Sequence, residues 1–279
     1  MLHAAVGLLA QLGALLALVA PSGPGAPQRY VALGDSYSAG TGTSAYGLSA
    51  GCQRSAHAYP ALVAARRPSL RLVFAACAGA TTDDVLFDQV SRLNEATRLV
   101  TITIGGNDVG FAEVLGACVR SSATACANAI DSGTALIREA LPAKLDAVYR
   151  EIRRRAPDAR VIVLGYPRLF SGSACQAIPR VLVSRLNRGA ILLRDTVRRR
   201  VRAAGRGFSF KDAVGAFEGH GICSRRPWIH GLVSPITESY HPNRAGHGRG
   251  YAPLVLRAVG TGREDARGAG ARISRLRRP

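Results

Sequence analysis

A chain of 279 residues that is 47% apolar holds enough hydrophobic side chain for one large core, which excludes a mostly disordered protein. The six cysteines, at 52, 77, 118, 126, 175 and 223, form no Cys-x-x-Cys pair and no His/Cys cluster at zinc-ligand spacing; this argues against a metal site and for disulfides made in an oxidising compartment. The net charge of +19, with Lys144 and Lys211 the only lysines among 37 basic residues, favours anionic surfaces such as lipid head groups or cell-wall polymers.

The chain opens with an uncharged apolar run, Ala4 to Ala20, followed by a Pro/Gly-rich stretch to Pro27. Residues 1–27 therefore read as a secretory signal peptide and the flexible start of the exported protein, although no basic residue precedes the run. Tyr30 to Leu33 predicts a short buried strand stopped by Gly34. Asp35 and Ser36 follow at once, with Gly40 allowing a second turn. A side chain at the carboxyl end of a strand stands where open α/β sheets build their sites. The alternative is that Ser36 only caps a helix.

Gly42 to Ser55 reads as loop, and Pro60 opens a helix to Arg67 that Pro68 ends. Arg71 to Ala76 is a second strand, running into Cys77 and Gly79. A helix is expected over Asp83 to Leu93, then a third strand over Leu99 to Ile104. That strand ends in Gly105-Gly106-Asn107-Asp108, a turn signal. Cys118 and Cys126 are close enough to staple one loop. Leu141, Leu145, Val148 and Ile152 form a buried helical stripe with Arg153 to Arg155 outside it, and Pro157 ends the helix.

Arg160 to Gly165 is a fourth strand. Leu182, Leu186, Ala190, Leu193, Val197 and Val201 mark a long amphipathic helix closing near Gly205, and Gly207 to Asp212 is a weaker fifth strand. Strands alternating with helices predict right-handed crossovers and an α/β fold: three layers, α/β/α, around a central parallel sheet of about five strands. One domain is expected over residues 28–260, followed by a mobile basic tail, 261–279. The arginines lie on helix faces and in that tail rather than in one stripe, so no nucleic-acid partner is expected. Histidines are scarce, and His241 sits in a loop before the last apolar segment, Tyr251 to Val259, well placed to face a site. A lone loop histidine is more often an ordinary surface residue.

Taken together, these segments resemble the SGNH hydrolases, the GDSL-type esterases and lipases, from Tyr30 to about Val259. Gly34-Asp35-Ser36 with Ala39-Gly40 is similar to the family's nucleophile block, and Gly79 to the block that supplies a backbone N–H. Gly105-Gly106-Asn107-Asp108 resembles the block whose asparagine donates a hydrogen bond. His241-Pro242-Asn243 with Ala245-Gly246-His247 resembles the block that carries the base. The resemblance implies a flavodoxin-like fold and a secreted serine esterase or lipase without metal or cofactor. It makes Ser36 the nucleophile and His241 the base, with an oxyanion hole from Ser36 N–H, Gly79 N–H and the Asn107 amide.

The family often has an aspartate three residues before its histidine, where this chain has Glu238. Either the Glu238 carboxylate or a backbone carbonyl, that of Glu238 or Ser239, is then left to orient the imidazole. The cysteine layout resembles secreted actinobacterial members in which neighbours pair in order, implying Cys52–Cys77, Cys118–Cys126 and Cys175–Cys223. Asp35, Ser38 and Asp108 match the family as turn and support residues, and His247 is an alternative base. The implied substrates are carboxylic esters of small molecules or lipids, phospholipids included, handled by a monomer in contact with an anionic membrane or cell surface. The rival readings are a carbohydrate acetyl esterase on the same fold and a catalytically silent, basic surface-binding protein. Activity is expected to rise around the ordinary histidine pKa, about 6.5.

Overall fold

A computed structural model of the chain describes residues 26–172 and 178–260. Five strands, β1 (Gln28–Gly34), β2 (Leu70–Phe74), β3 (Thr97–Thr103), β4 (Arg160–Leu164) and β5 (Phe208–Lys211), form one sheet in the order β2-β1-β3-β4-β5. Every pairing is parallel, with Val31 beside Val73 on one side and beside Val100 on the other. β1, β3 and β4 are buried on both faces, so each reads as a continuous apolar run instead of an alternation. The chain leaves β1 for the β2 edge and then crosses back over to β3. The sheet's switch point therefore falls between β1 and β3, where open α/β sheets leave a crevice at the strands' carboxyl ends.

The helices are α1 (Ser36–Ala39), α2 (Tyr59–Arg66), α3 (Thr82–Phe87), α4 (Phe111–Arg120), α5 (Ala123–Glu139), α6 (Leu141–Arg155), α7 (Arg180–Ala204), α8 (Ala213–Ala216) and α9 (Ala252–Val259). α2 and α9 pack together on one face of the sheet; α3, α6 and α7 line up on the other, with α5 against α6 and α7. That division is what right-handed crossovers require. The three-layer fold, its parallel sheet and its five strands agree with the reading of the sequence.

Three local features differ. The helix expected over Asp83 to Leu93 is α3 followed by a separate 3-10 turn, Gln89–Arg92, with Asp88 at the break. Cys118 and Cys126 are bonded as expected, but what they staple is the short connection between two helices, α4 and α5, that the sequence reading did not place. Their disulfide joins the last turn of one to the first turn of the next, and Ser122 caps α5 by accepting from Ala125 N at 3.2 Å. Alanine, glycine, serine and threonine fill much of α5, so its apolar periodicity is faint. The last helix begins early, with a π-helical turn over Gly246–Tyr251 that runs into α9.

Cys52 is bonded to Cys77. Cys223 is also disulfide-bonded, while its expected partner, Cys175, lies outside the described residues.

Candidate active site

Gly34 ends β1 at φ +119°, and a Cβ there would stand 2.2 Å from the Thr103 carbonyl oxygen of β3. Only glycine lets β1 turn this close to its neighbour. Asp35 then caps α1: its Oδ1 accepts from Tyr37 N and from Thr103 Oγ1, each at 3.0 Å, and its Oδ2 accepts from the Tyr166 hydroxyl. Burial pushes the Asp35 carboxyl up to about 6, against the bonds from Tyr166, Thr103 and the backbone. Capping thus falls to Asp35, which frees the hydroxyl of Ser36, the first residue of the helix. The Ser36 N–H, in the first turn, has no acceptor within the helix.

Ser36 Oγ donates to Nε2 of His241 at 2.8 Å, across 205 positions of sequence. The other ring nitrogen, Nδ1, lies 2.9 Å from the carbonyl oxygen of Ser239. A carbonyl only accepts, so Nδ1 carries the proton and Nε2 is left as the acceptor. Burial pushes the His241 pKa down to about 4; the Ser239 carbonyl opposes this, the neighbouring His230 adds to it, and Glu238 opposes it. Desolvation disfavours the charged ring, so the rise in activity is expected below the ordinary value of about 6.5.

Of the three groups left open as orienters of His241, the Ser239 carbonyl is the one in contact. Glu238 is buried, but its carboxylate accepts from Ser44 Oγ at 2.7 Å and from the Tyr46 hydroxyl at 2.6 Å. Burial works to raise its pKa, yet the Tyr46 and Ser44 bonds outweigh it and hold the carboxyl below its ordinary value. Glu238 therefore ties the histidine loop to the loop after α1, and its side chain points to those partners instead of the imidazole.

Gly79 follows β2 in a turn at φ +81°, clamped by the Cys52–Cys77 bridge and by Ala78 N donating to Cys52 O at 3.0 Å. A Cβ on Gly79 would meet no atom within 4 Å, so the turn is open on the side where a side chain would stand. Asn107, at the end of β3, donates one amide hydrogen to Ala80 O at 2.8 Å, which fixes the amide plane and leaves a second hydrogen. Ser36, Gly79, Asn107 and His241 all line one cleft of ≈ 500 Å³. Among the described residues Arg120 is the one charged residue on its walls, and Phe111, Leu115, Val119, Leu232 and Ile236 supply apolar surface.

His247 is brought elsewhere: it is buried, with Nδ1 accepting from Tyr59 N at 3.3 Å, and it does not line the cleft. Burial pushes its pKa down to about 3. Ser38 is bonded to Tyr59 and Thr103, and Asp108 accepts from Thr82 N at 3.0 Å. Neither they nor Asp35 line the cleft.

Sequence reasoning missed Tyr166, whose hydroxyl donates to Asp35 and accepts from Gly106 N at 3.1 Å, bridging the turns after β1 and β3. Its place just after the β4 strand end was the available signal. Tyr37 was missed too: its hydroxyl donates to Tyr240 O at 2.7 Å, joining α1 to the histidine loop.

The profile of the GDSL-like Lipase/Acylhydrolase family matches residues 32–249. A lipase of Streptomyces rimosus is 44% identical over 233 residues, 82% of this chain and 86% of that protein. Lipase 1 of Streptomyces coelicolor is 43% identical over 235 residues, 83% and 87% of the two chains. The solved structures of the extracellular lipase from Streptomyces rimosus and of phospholipase A1 from Streptomyces albidoflavus each superpose with a TM-score of 0.79 at 42% identity, covering 82% of this chain and 98% of theirs.

Proposed function

The chain belongs to the GDSL-like lipase/acylhydrolase family and hydrolyses carboxylic esters; we propose that it does so outside the cell, on lipid esters, through an acyl-enzyme on Ser36. Ser36 Oγ attacks the acyl carbon while His241 Nε2 takes its proton. Negative charge that develops on the carbonyl oxygen meets the N–H groups of Ser36 and Gly79 and the free amide hydrogen of Asn107, each already fixed in place. His241 passes its proton to the leaving alcohol as the C–O bond breaks. Water, deprotonated by the same nitrogen, then attacks the acyl-enzyme and releases the acid and free Ser36.

The observation that carries this reading is the chain of contacts from Ser36 Oγ through His241 to the Ser239 carbonyl, at 2.8 and 2.9 Å. In it, the carbonyl takes the orienting role that an acid fills in a Ser-His-Asp triad. The disulfide-bonded protein is expected to hydrolyse p-nitrophenyl butyrate, and Ser36→Ala to lower kcat by roughly 10⁴-fold or more. Glu238→Gln is expected to keep kcat within about tenfold of wild type, whereas a loss near that of Ser36→Ala would restore the carboxylate as orienter. A wild type that turns over no ester would leave the silent surface-binding protein as the better account.

Apolar walls favour acyl lipids over acetylated glycans. One relative is a phospholipase A1, and Arg120, folded back over Gly116 beside the cleft, is suited to an anionic head group. Phospholipids are accordingly the substrate class we favour. Export is supported by the apolar run within residues 1–27, by the disulfides and by the extracellular relative. Residues 28–260 form the hydrolase domain and 261–279 a basic extension.

A further inference from the structure

The Ser36 nucleophile and the Asn107 donor stand beyond the ends of different strands, β1 and β3. Up to Thr103 those strands are joined directly. Their backbones pair as far as Gly34 and Thr103, Asp35 N donates to Thr103 O at 3.0 Å, and Thr103 Oγ1 donates to Asp35. There the ladder ends, and Ile104 to Gly106 carry the chain on to Asn107. The link across this gap is Tyr166, which follows β4. Its hydroxyl donates to Asp35, one residue before the nucleophile, and accepts from Gly106 N at 3.1 Å, one residue before the donor. Among the described residues no other side chain bonds to both turns. The ring is buried and meets the Tyr37 ring edge-on, with centroids 5.1 Å apart. Gly106 is what admits the hydroxyl, because a Cβ there would stand 3.2 Å from its oxygen.

We propose that Tyr166 is a positioning residue that fixes the Asn107 donor of the oxyanion hole against the nucleophile. The inference rests on the ester-hydrolase reading of Ser36 and Asn107. Tyr166 does not line the cleft, so it acts through the two turns and not on the ester. Burial, and then Asp35, push its pKa up, so the hydroxyl keeps the proton that Asp35 accepts. A hydroxyl that donates to a carboxylate becomes a better acceptor, and the Asp35 bond therefore strengthens the one from Gly106 N. The Asn107 amide is also tied to Ala80 O, at 2.8 Å. The turn is thus braced from the β2 side by Ala80 and from the β4 side by Tyr166. Loss of the second brace frees the gap between Ser36 Oγ and the Asn107 amide, where a misplacement of about 1 Å costs up to about 10²-fold in rate.

The test is a double-mutant cycle in kcat on p-nitrophenyl butyrate, measured on the disulfide-bonded enzyme. Asn107→Ala removes the donor and is expected to lower kcat by roughly 10²- to 10³-fold. Tyr166→Phe keeps the ring and removes the bridge. It is expected to lower kcat by roughly tenfold or more with KM within about twofold, because no contact with the bound ester is lost. In the Asn107→Ala background the same change is expected to cost less than about threefold, since the group it positions is already gone. A residue that only supported the fold would cost the same in both backgrounds. Gly106→Ala probes the bridge with the hydroxyl in place, and so decides the matter where Tyr166→Phe proves unfolded. Gly106 is helical at φ −63°, which alanine adopts freely, and the new methyl pushes on the Tyr166 hydroxyl; about a tenfold lower kcat is expected. Equal losses from Tyr166→Phe in both backgrounds, or wild-type kcat in Gly106→Ala, with melting curves showing folded protein, would overturn the positioning role while leaving the hydrolase reading intact. A wild type that turns over no ester would overturn that reading and this inference with it.

Discussion

Ser36 stands on a turn whose neighbours are bonded into β1 and β3, whereas His241 stands on a loop shaped by a short 3-10 turn, Ile236–Glu238, and an isolated antiparallel bridge between Pro242 and Ile229. Around Ser36, Gly34 exchanges two hydrogen bonds with the Gln89 side chain and Asp35 N donates to Thr103 O. Around His241 the ties run between loops. Tyr37 holds Tyr240 O, His230 N holds His241 O at 2.9 Å, His230 Nε2 holds Gly42 O at 2.8 Å, and Glu238 holds Ser44 and Tyr46. The nucleophile's position is a property of the sheet, and the base's position is a property of loop contacts: a short backbone ladder to residues 228–230 and a few side-chain bonds to the loop after α1. Damage to the first support should cost the fold, and damage to the second should cost mainly catalysis.

Gly34→Ala is the harshest way to probe that contrast. The added methyl collides with the β3 backbone at a left-handed φ, so a loss on the order of 3 kcal/mol or more is expected, read as a drop in denaturation midpoint. An alanine variant of wild-type stability would show that the turn is not locked as described. Tyr37→Phe attacks the other support by removing the bond to Tyr240 O. It is expected to cost about 1–3 kcal/mol of stability and to lower kcat by roughly tenfold, as loosened positioning does. Equal kcat with the same stability loss would mean that the histidine loop is held without it.

The smallest effect expected is an absence of change. Catalysis needs neutral His241, and a pKa pushed down to about 4 keeps the ring neutral well into the acid range. The pH profile of kcat/KM should therefore be flat from about pH 5 to 8 and fall only toward pH 4. A half-maximum near the unperturbed value, about 6.5, would show the imidazole to be better hydrated than the structure has it.

Much of this was legible in the residues, for reasons that can be traced. β1, β3 and β4 lie under helices on both faces, so they appear as unbroken apolar runs, and the site blocks hang from strand ends, where glycines mark the turns. What resisted reading depends on distance and burial. Nothing in the composition shows that Glu238 is engaged by Ser44 and Tyr46, or that the Ser239 carbonyl faces Nδ1. The depressed pKa of His241 comes from packing around it, which no local pattern reports. α5 escaped notice because small residues thin its apolar stripe; α4, with Phe111, Val114, Leu115, Cys118 and Val119 at helical spacing, carried a legible stripe that was not read.

The separation between Ser36 and His241, 205 positions, has a consequence for how this enzyme comes into being. The segment between them contains β2, β3, β4 and β5, so the two groups meet only after nearly the entire sheet has assembled. Closing so long a loop comes at the end of slow, non-local folding. Turnover of a chromogenic ester therefore counts completed molecules: partly folded chains, or chains cut short before residue 241, contribute no signal.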